Sequence, residues 1–234
     1  MWLVPSQPCR HAGDDSLIAL LSDDERARAD RFVRPGDRTT YVAAHAALRR
    51  VVGARVGLHP AAVRLGCEDC PLCGGPHGRP TLLDPPTGGG TELSLSRTTD
   101  LAAVALSPAV VGVDVEVTTR DVDLDDLLVA LHPHELPVAD RSAALRLWVR
   151  KEAYLKGLGT GLGVDPAGVD LSADPPGWQV VDLPTRPGVL GAVAVRTTAQ
   201  VALTVRTWGQ ATACTSMSDP ASPEGSPSSA NCVR

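Results

Sequence analysis

Aromatic side chains are scarce in this chain: one Phe, two Tyr and four Trp amount to 3% of 234 residues. The core therefore has to be built mainly from Leu, Val and Ala. Lysine is scarcer still. Of 22 basic residues 20 are Arg, and the two Lys, Lys151 and Lys156, fall in one short segment. Lys is a compact point charge suited to a phosphate oxygen, whereas Arg is a planar fork, so the segment that kept both lysines is the first place to look for chemistry. Long apolar runs are absent as well. The most apolar stretch, residues 101–115, is too short to cross a bilayer and is broken by Pro108 and Asp114. MWLVPSQPCR at the start shows no basic region followed by an apolar run, so no secretory signal is expected and the expected compartment is the cytoplasm. Positive charge is not in excess: the net charge is −5. Whole-molecule charge thus gives no support to non-specific nucleic-acid binding, and an anionic partner has to be recognised by a local patch.

What is present is ordinary for a globular protein, with 43% hydrophobic and 21% charged residues. Residues 16–21 precede Ser22-Asp23-Asp24-Glu25, an N-cap with acids in the first turn of a helix running to about residue 32. After the break at Arg34-Pro35-Gly36, a longer helix is predicted over 37–56. Residues 57–92 read as an irregular loop rich in Gly, Pro and Cys. Strands are predicted at 93–98, 101–107 and 110–117. The order then recurs: helices at 122–132 and 139–157, ended by a run of alternating glycines, then strands at 177–182, 189–196 and 199–206. Two helices followed by strands, twice over, predict an α+β protein of two similar halves, residues 1–108 and 109–208. From 209 to 234 the composition turns to Ser, Pro, Ala and Gly, and this tail is expected to be disordered.

Two segments carry candidate chemistry. In Gly112-Val113-Asp114-Val115-Glu116 the strand period puts Asp114 and Glu116 on one face. Paired carboxylates repel unless a cation lies between them, and hard oxygen ligands beside phosphates suit Mg²⁺. Taken alone, solvated acids on an alternating strand are the better reading. In Trp148-Val149-Arg150-Lys151-Glu152-Ala153-Tyr154-Leu155-Lys156, helical spacing aligns Trp148, Glu152 and Lys156 in one stripe. Alone, that is a plain Glu–Lys surface pair. Together, strand and helix can bring three carboxylates and a lysine to one pocket.

The two segments, in this order and some thirty residues apart, resemble the signature of the 4′-phosphopantetheinyl transferases, most nearly the larger surfactin-type class. His77-Gly78-Arg79-Pro80 resembles the Gly-Lys-Pro loop of that family, and Leu93-Ser94-Leu95-Ser96-Arg97 its Asn-x-Ser-His strand, with Arg97 where His is usual. Arg28, Arg31-Phe32 and Arg38 resemble its basic N-terminal segment. The resemblance covers roughly residues 15–207. It implies two α+β halves in pseudo-twofold arrangement, each a small antiparallel sheet packed on a long helix, active as a monomer. It implies transfer of the 4′-phosphopantetheine group from coenzyme A to a serine of an acyl or peptidyl carrier protein, releasing adenosine 3′,5′-bisphosphate. It implies Mg²⁺ held by Asp114, Glu116 and Glu152, and coenzyme A held by Arg28, Arg31, Arg79, Pro80, Ser96, Arg97 and Lys156. Glu152 and Lys156 would also act in catalysis, and Glu135 stands at the position of a general base, although a capping or solvated acid explains it equally well.

Six Cys remain: Cys9, Cys67, Cys70, Cys73, Cys214 and Cys232. The run Cys67-x2-Cys70-x2-Cys73-x3-His77 has spacing compatible with four ligands to a structural Zn²⁺. It is more compact than the usual two-knuckle pattern, and a reduced loop is the favoured reading. His11, His45 and His59 are expected to be packing or surface residues. Two other functions fit the same chain: another magnesium-dependent nucleotide-handling transferase, and a non-catalytic zinc module centred on residues 67–77.

Overall fold

The computed structural model describes residues 1–6, 14–84, 90–119 and 122–208. The chain begins with strand β1 (Trp2–Pro5), followed by helices α1 (Asp14–Ile18), α2 (Asp23–Ala29) and α3 (Pro35–Val56). Strands β2 (Leu65–Cys67), β3 (Pro80–Leu82), β4 (Glu92–Arg97), β5 (Leu101–Ser107) and β6 (Val111–Val117) come next. Helices α4 (Leu124–Val129) and α5 (Arg141–Leu158) precede β7 (Gln179–Asp182), β8 (Val189–Val195) and β9 (Arg206–Thr207). The expected tail 209–234 lies outside the described residues.

Local sequence explains the helix limits. Ser22 and Glu25 close a reciprocal capping box at the start of α2. Pro35 fits the first turn of α3, where no amide partner is needed, and Gly57 ends that helix at φ +75°. Asp140 caps α5 through the Ala143 amide, and Gly159 ends it at φ +80°.

One sheet has the order β4-β5-β1-β9; its pairs are antiparallel except β1 with β9. Helix α3 packs on it through a core that includes Val4, Ala44, Leu48, Val52, Leu93, Leu95, Ala102 and Val104. An antiparallel sheet of order β6-β8-β7 carries α5 through Val149, Ala153, Trp178, Val180, Ala192 and Ala194. The two sheets share a third cluster, in which Ala103 and Ala105 of β5 meet Val113 and Val115 of β6 and Val193 of β8. The strand period makes this possible: Ala102 and Val104 face α3 while Ala103 and Ala105 face the other sheet.

Three features depart from the sequence reading. Strand β1 was not expected, because WLVP is short and ends in Pro. The strand expected over 199–206 survives only as β9, which returns to the first sheet beside β1, so the end of the described chain joins the first half and not the second. Trp208, just after β9, is buried in the core beneath α3, with the Arg50 guanidinium 5.7 Å from its ring centre. Within the loop expected over 57–92, β2 and β3 form a two-stranded ribbon.

Candidate active site

The carboxylates on β6 lie where the two sheets meet edge to edge. β4 and β6 are not partners in a ladder; serine hydroxyls join them. The Val113 amide donates to Ser94 Oγ (3.1 Å) and the Val115 amide to Ser96 Oγ (3.3 Å). Ser96 in turn donates to Asp114 Oδ1 (2.7 Å) and accepts from Lys156 Nζ (3.2 Å). One donor and two acceptor directions exhaust a hydroxyl, so Ser96 is fixed in orientation. Lys156 Nζ also lies 2.6 Å from the same Asp114 oxygen. Thr98 donates to Glu116 Oε1 (2.6 Å), extending the pattern one strand period further.

Lys156 reaches β6 because α5 lies unusually close to it. A Cβ on Gly112 would stand 2.0 Å from the Ala153 carbonyl oxygen and 2.4 Å from the Gly157 amide nitrogen. Gly157 is itself tight against Trp178. Two glycines, one on the strand and one on the helix, thus set the distance between Asp114 and Lys156. Glu152 sits one turn before Lys156 on α5, half-buried.

Asp114, Glu116 and Glu152 are not gathered around a common point. The groups of three potential ligands that do converge among the described residues are Cys70–Cys73–His77 and His132–His134–Asp170. In the second group His134 Nδ1 pairs with Asp170 Oδ2 at 2.7 Å and His132 Nδ1 accepts from the His134 amide, so hydrogen bonds account for it. The carboxylates of β6 and α5 still fit a hard cation by chemistry: they are oxygen donors beside a buried acid, Asp114, whose charge is met by the Lys156 ammonium.

The basic residues divide into two places. Arg97 at the end of β4 stacks its guanidinium 5.3 Å from the ring centres of both Phe32 and Tyr41. Burial, partly offset by Tyr41, and the nearby Arg28 charge hold its pKa below the usual Arg value. Arg28 Nε and Arg97 Nε are both buried without a hydrogen-bond partner. Two neighbouring guanidiniums with buried donors that no group among the described residues meets are chemically suited to an anion. Arg31 is exposed on the same stretch. Arg79 stands elsewhere: it forms a bidentate pair with Glu68, Nε donating to Oε2 and Nη2 to Oε1 (both 2.9 Å), and its stem packs on Gly159 just past α5. Pro80, next in sequence, opens β3 opposite Cys67.

Glu135 is placed otherwise than a general base requires. Its side chain is fully buried, and both oxygens are engaged. Oε2 accepts from the His132 amide (2.7 Å) and lies 2.8 Å from Lys151 Nζ; Oε1 accepts from the Leu171 amide (2.8 Å). Lys151, also fully buried, donates in addition to the carbonyls of Pro166 and Val169. Glu135 therefore holds residues 132, 151 and 171 together. The capping reading fits, because it closes a reciprocal cap with His132.

A second buried polar cluster escaped the sequence reading. Glu25 receives Arg49 Nε (2.6 Å) and pairs with His45 Nδ1 (2.9 Å), and Arg49 also donates to the Val63 carbonyl (2.7 Å). His45 stacks on Tyr41 at 4.0 Å between ring centres. Burial raises the Glu25 carboxyl, but its bonds to His45, Arg49 and Ser22 outweigh this and bring its pKa down to about 2. The cluster fastens α2, and with it Arg28, onto α3. Its only early signal was the Ser22–Glu25 cap.

Similarity to known proteins now settles the class. The model of the 4′-phosphopantetheinyl transferase superfamily matches residues 110–201, the span that holds β6, α5 and their carboxylates. The chain is 30% identical over 216 residues to the 4′-phosphopantetheinyl transferase HetI of Nostoc sp., covering 83% of this chain and 86% of that protein. A Synechocystis sp. protein, provisionally given the same activity, is 25% identical over 185 residues, 69% of this chain and 65% of its own length. The chain belongs to the 4′-phosphopantetheinyl transferase family and is a transferase. No helix among the described residues is long and apolar enough to cross a membrane.

Proposed function

We propose that this enzyme transfers the 4′-phosphopantetheine group of coenzyme A to a serine hydroxyl of an acyl or peptidyl carrier protein, with Mg²⁺, as a surfactin-type member of the family. The observation that carries the reading is the Ser96–Asp114–Lys156 cluster, closed by the Gly112–Gly157 contact between the family's two signature segments. The serine oxygen bonds to the phosphorus next to pantetheine, the bond from that phosphorus to the bridging oxygen breaks, and adenosine 3′,5′-bisphosphate leaves. Such transfer needs positioning and charge neutralisation more than covalent help from the protein.

Asp114, Glu116 and Glu152 would hold the Mg²⁺, which when bound supplies positive charge at the pyrophosphate. Lys156 adds a point charge at the same place, and Ser96 keeps its ammonium and Asp114 in register. Arg28 and Arg97, with Arg31 nearby, bind the remaining phosphate of coenzyme A; their orphaned buried donors support this. Arg79 borders the far end of α5, next to Gly159, and Pro80 follows it at the start of β3. Since Glu135 is sealed in its pair with Lys151, we assign the serine proton to Glu152, directly or through water. Two long helices, each on its own mainly antiparallel sheet, support the two-half arrangement; we infer further that the enzyme acts as a monomer in the cytoplasm on carriers of secondary metabolism. The test is intact mass of several apo carrier proteins after incubation with enzyme, coenzyme A and Mg²⁺. Addition of one phosphopantetheine is expected; no addition to any carrier refutes the reading.

A further inference from the structure

One motif stands apart from the transfer site. The segment between β2 and β3 folds back sharply at Cys70-Pro71-Leu72-Cys73-Gly74. The Gly74 amide donates to the Cys70 carbonyl (2.8 Å), the Cys70 amide to the Gly75 carbonyl (2.7 Å), and the His77 amide to the same Gly75 carbonyl (2.8 Å). Gly74 takes φ +70°, a conformation that side chains disfavour. Such a turn presents two sulfurs from one short loop.

His77 completes the group. Its Nε2 lies 3.1 Å from Cys73 Sγ, and the ligand atoms of Cys70, Cys73 and His77 all fall within 4.8 Å of one another. Zn–S bonds of about 2.3 Å and Zn–N bonds of about 2.0 Å place tetrahedral ligands about 3.5 Å apart, so three of four positions are already near their places. Cys70 is buried, and Cys73 and His77 are exposed, leaving the fourth position toward solvent. Cys67 is not the missing ligand expected from the spacing: it is disulfide-bonded, whereas Cys70 and Cys73 are free thiols. Spacing alone could not separate these roles.

We propose that Cys70, Cys73 and His77 bind one Zn²⁺, with water as fourth ligand, independently of the Mg²⁺ carboxylates. The ion has a structural task. The folded-back loop ties Glu68 to residues 78 and 79 by the Gly78 amide to the Glu68 carbonyl and the Glu68 amide to the Arg79 carbonyl, both 2.9 Å. Leu72 abuts Gly163 and Arg79 abuts Gly159, so the same loop braces the turn that follows α5. Metal binding would fix that loop, and Arg79 with it, against the helix that carries Glu152 and Lys156.

The test uses the full chain handled without thiol reductant, so that Cys67 stays disulfide-bonded while Cys70 and Cys73 are free thiols, stripped of metal and titrated with Zn²⁺ against a chromogenic chelator. One Zn²⁺ per chain is expected. Cys73→Ser and His77→Ala should each weaken uptake by more than about a hundredfold, beyond the roughly ten- to hundredfold loss from a merely supporting contact. Asp114→Asn should bind zinc as the parent does, which separates this site from the carboxylates. Alkylation of the unaltered protein guards against variants that misfold: exposed Cys73 should react freely without zinc, be protected by one equivalent of Zn²⁺, and not be protected by Mg²⁺. Failure of the metal-free chain to take up zinc, undiminished uptake by both ligand variants, or Cys73 alkylation indifferent to zinc would each overturn the proposal.

Discussion

Gly112→Ala should damage both fold and chemistry, and the size of the effect follows from two distances. A methyl group at residue 112 would stand 2.0 Å from the Ala153 oxygen and 2.4 Å from the Gly157 nitrogen. Both neighbours are backbone atoms of a helix, so neither can rotate aside. Carbon needs about 3.5 Å from such atoms, which requires α5 to retreat by roughly 1.5 Å. Overpacking of this kind costs about 1–3 kcal/mol or more, a drop of about 3–10 °C in Tm for a domain of this size. The retreat also stretches the 2.6 Å contact between Lys156 and Asp114 past ion-pair range. A misplacement of about 1 Å in such a site lowers the rate about a hundredfold. Denaturant unfolding reads the first effect and phosphopantetheine transfer to a fixed carrier reads the second. A variant with unchanged stability and unchanged rate would refute the close approach as the determinant of the site.

The Glu25 cluster predicts sensitivity to acid. Glu25 titrates at about 2 in the fold against 4.5 ordinarily, so its contribution is complete above pH 4.5 and lost as pH falls toward 2; 2.5 units correspond to about 3 kcal/mol. His45, held below 6.5 first by burial, is harder to protonate in the fold than in the unfolded chain, so stability already begins to fall as pH drops below 6.5. Glu25→Gln should be less stable at pH 7 and show a flatter profile between pH 4.5 and 2; an unchanged profile would count against the network. The Glu135–Lys151 pair makes a second claim. Lys151→Met strands a buried carboxylate and should cost about 3–5 kcal/mol, measured by unfolding, and adding Glu135→Gln should restore much of the loss. A double variant no more stable than Lys151→Met alone would contradict it.

The parts of the site legible in the sequence are those set by local period. Asp114 and Glu116 share a face because strands alternate, and Glu152 and Lys156 align because helices repeat. Ser96 was found through the family resemblance, whereas Thr98, performing for Glu116 what Ser96 performs for Asp114, was not. The contact between β4 and β6 is made by side chains across the edges of two sheets, and no periodicity announces it. The same limit hid the Glu25–His45–Arg49 cluster, whose members lie up to 24 residues apart and meet only when α2 packs on α3. Long helices and most strands followed from caps, glycines and apolar runs. The strands β1, β2, β3 and β9 did not, since each is short and stabilised mainly by its neighbours. Glu135 shows the reverse case: its place in the sequence suggested chemistry, and its burial with Lys151 gives it a structural role.

The most direct measurement is intact-mass detection of phosphopantetheine on an apo carrier protein, comparing the unaltered enzyme with Asp114→Ala in the presence of coenzyme A and Mg²⁺. Asp114 accepts both Ser96 and Lys156, so it is the residue on which the site converges. The expected result is complete modification by the unaltered enzyme and none by the variant, with the variant still folded by circular dichroism. Transfer at an undiminished rate by Asp114→Ala would contradict the assignment of the site.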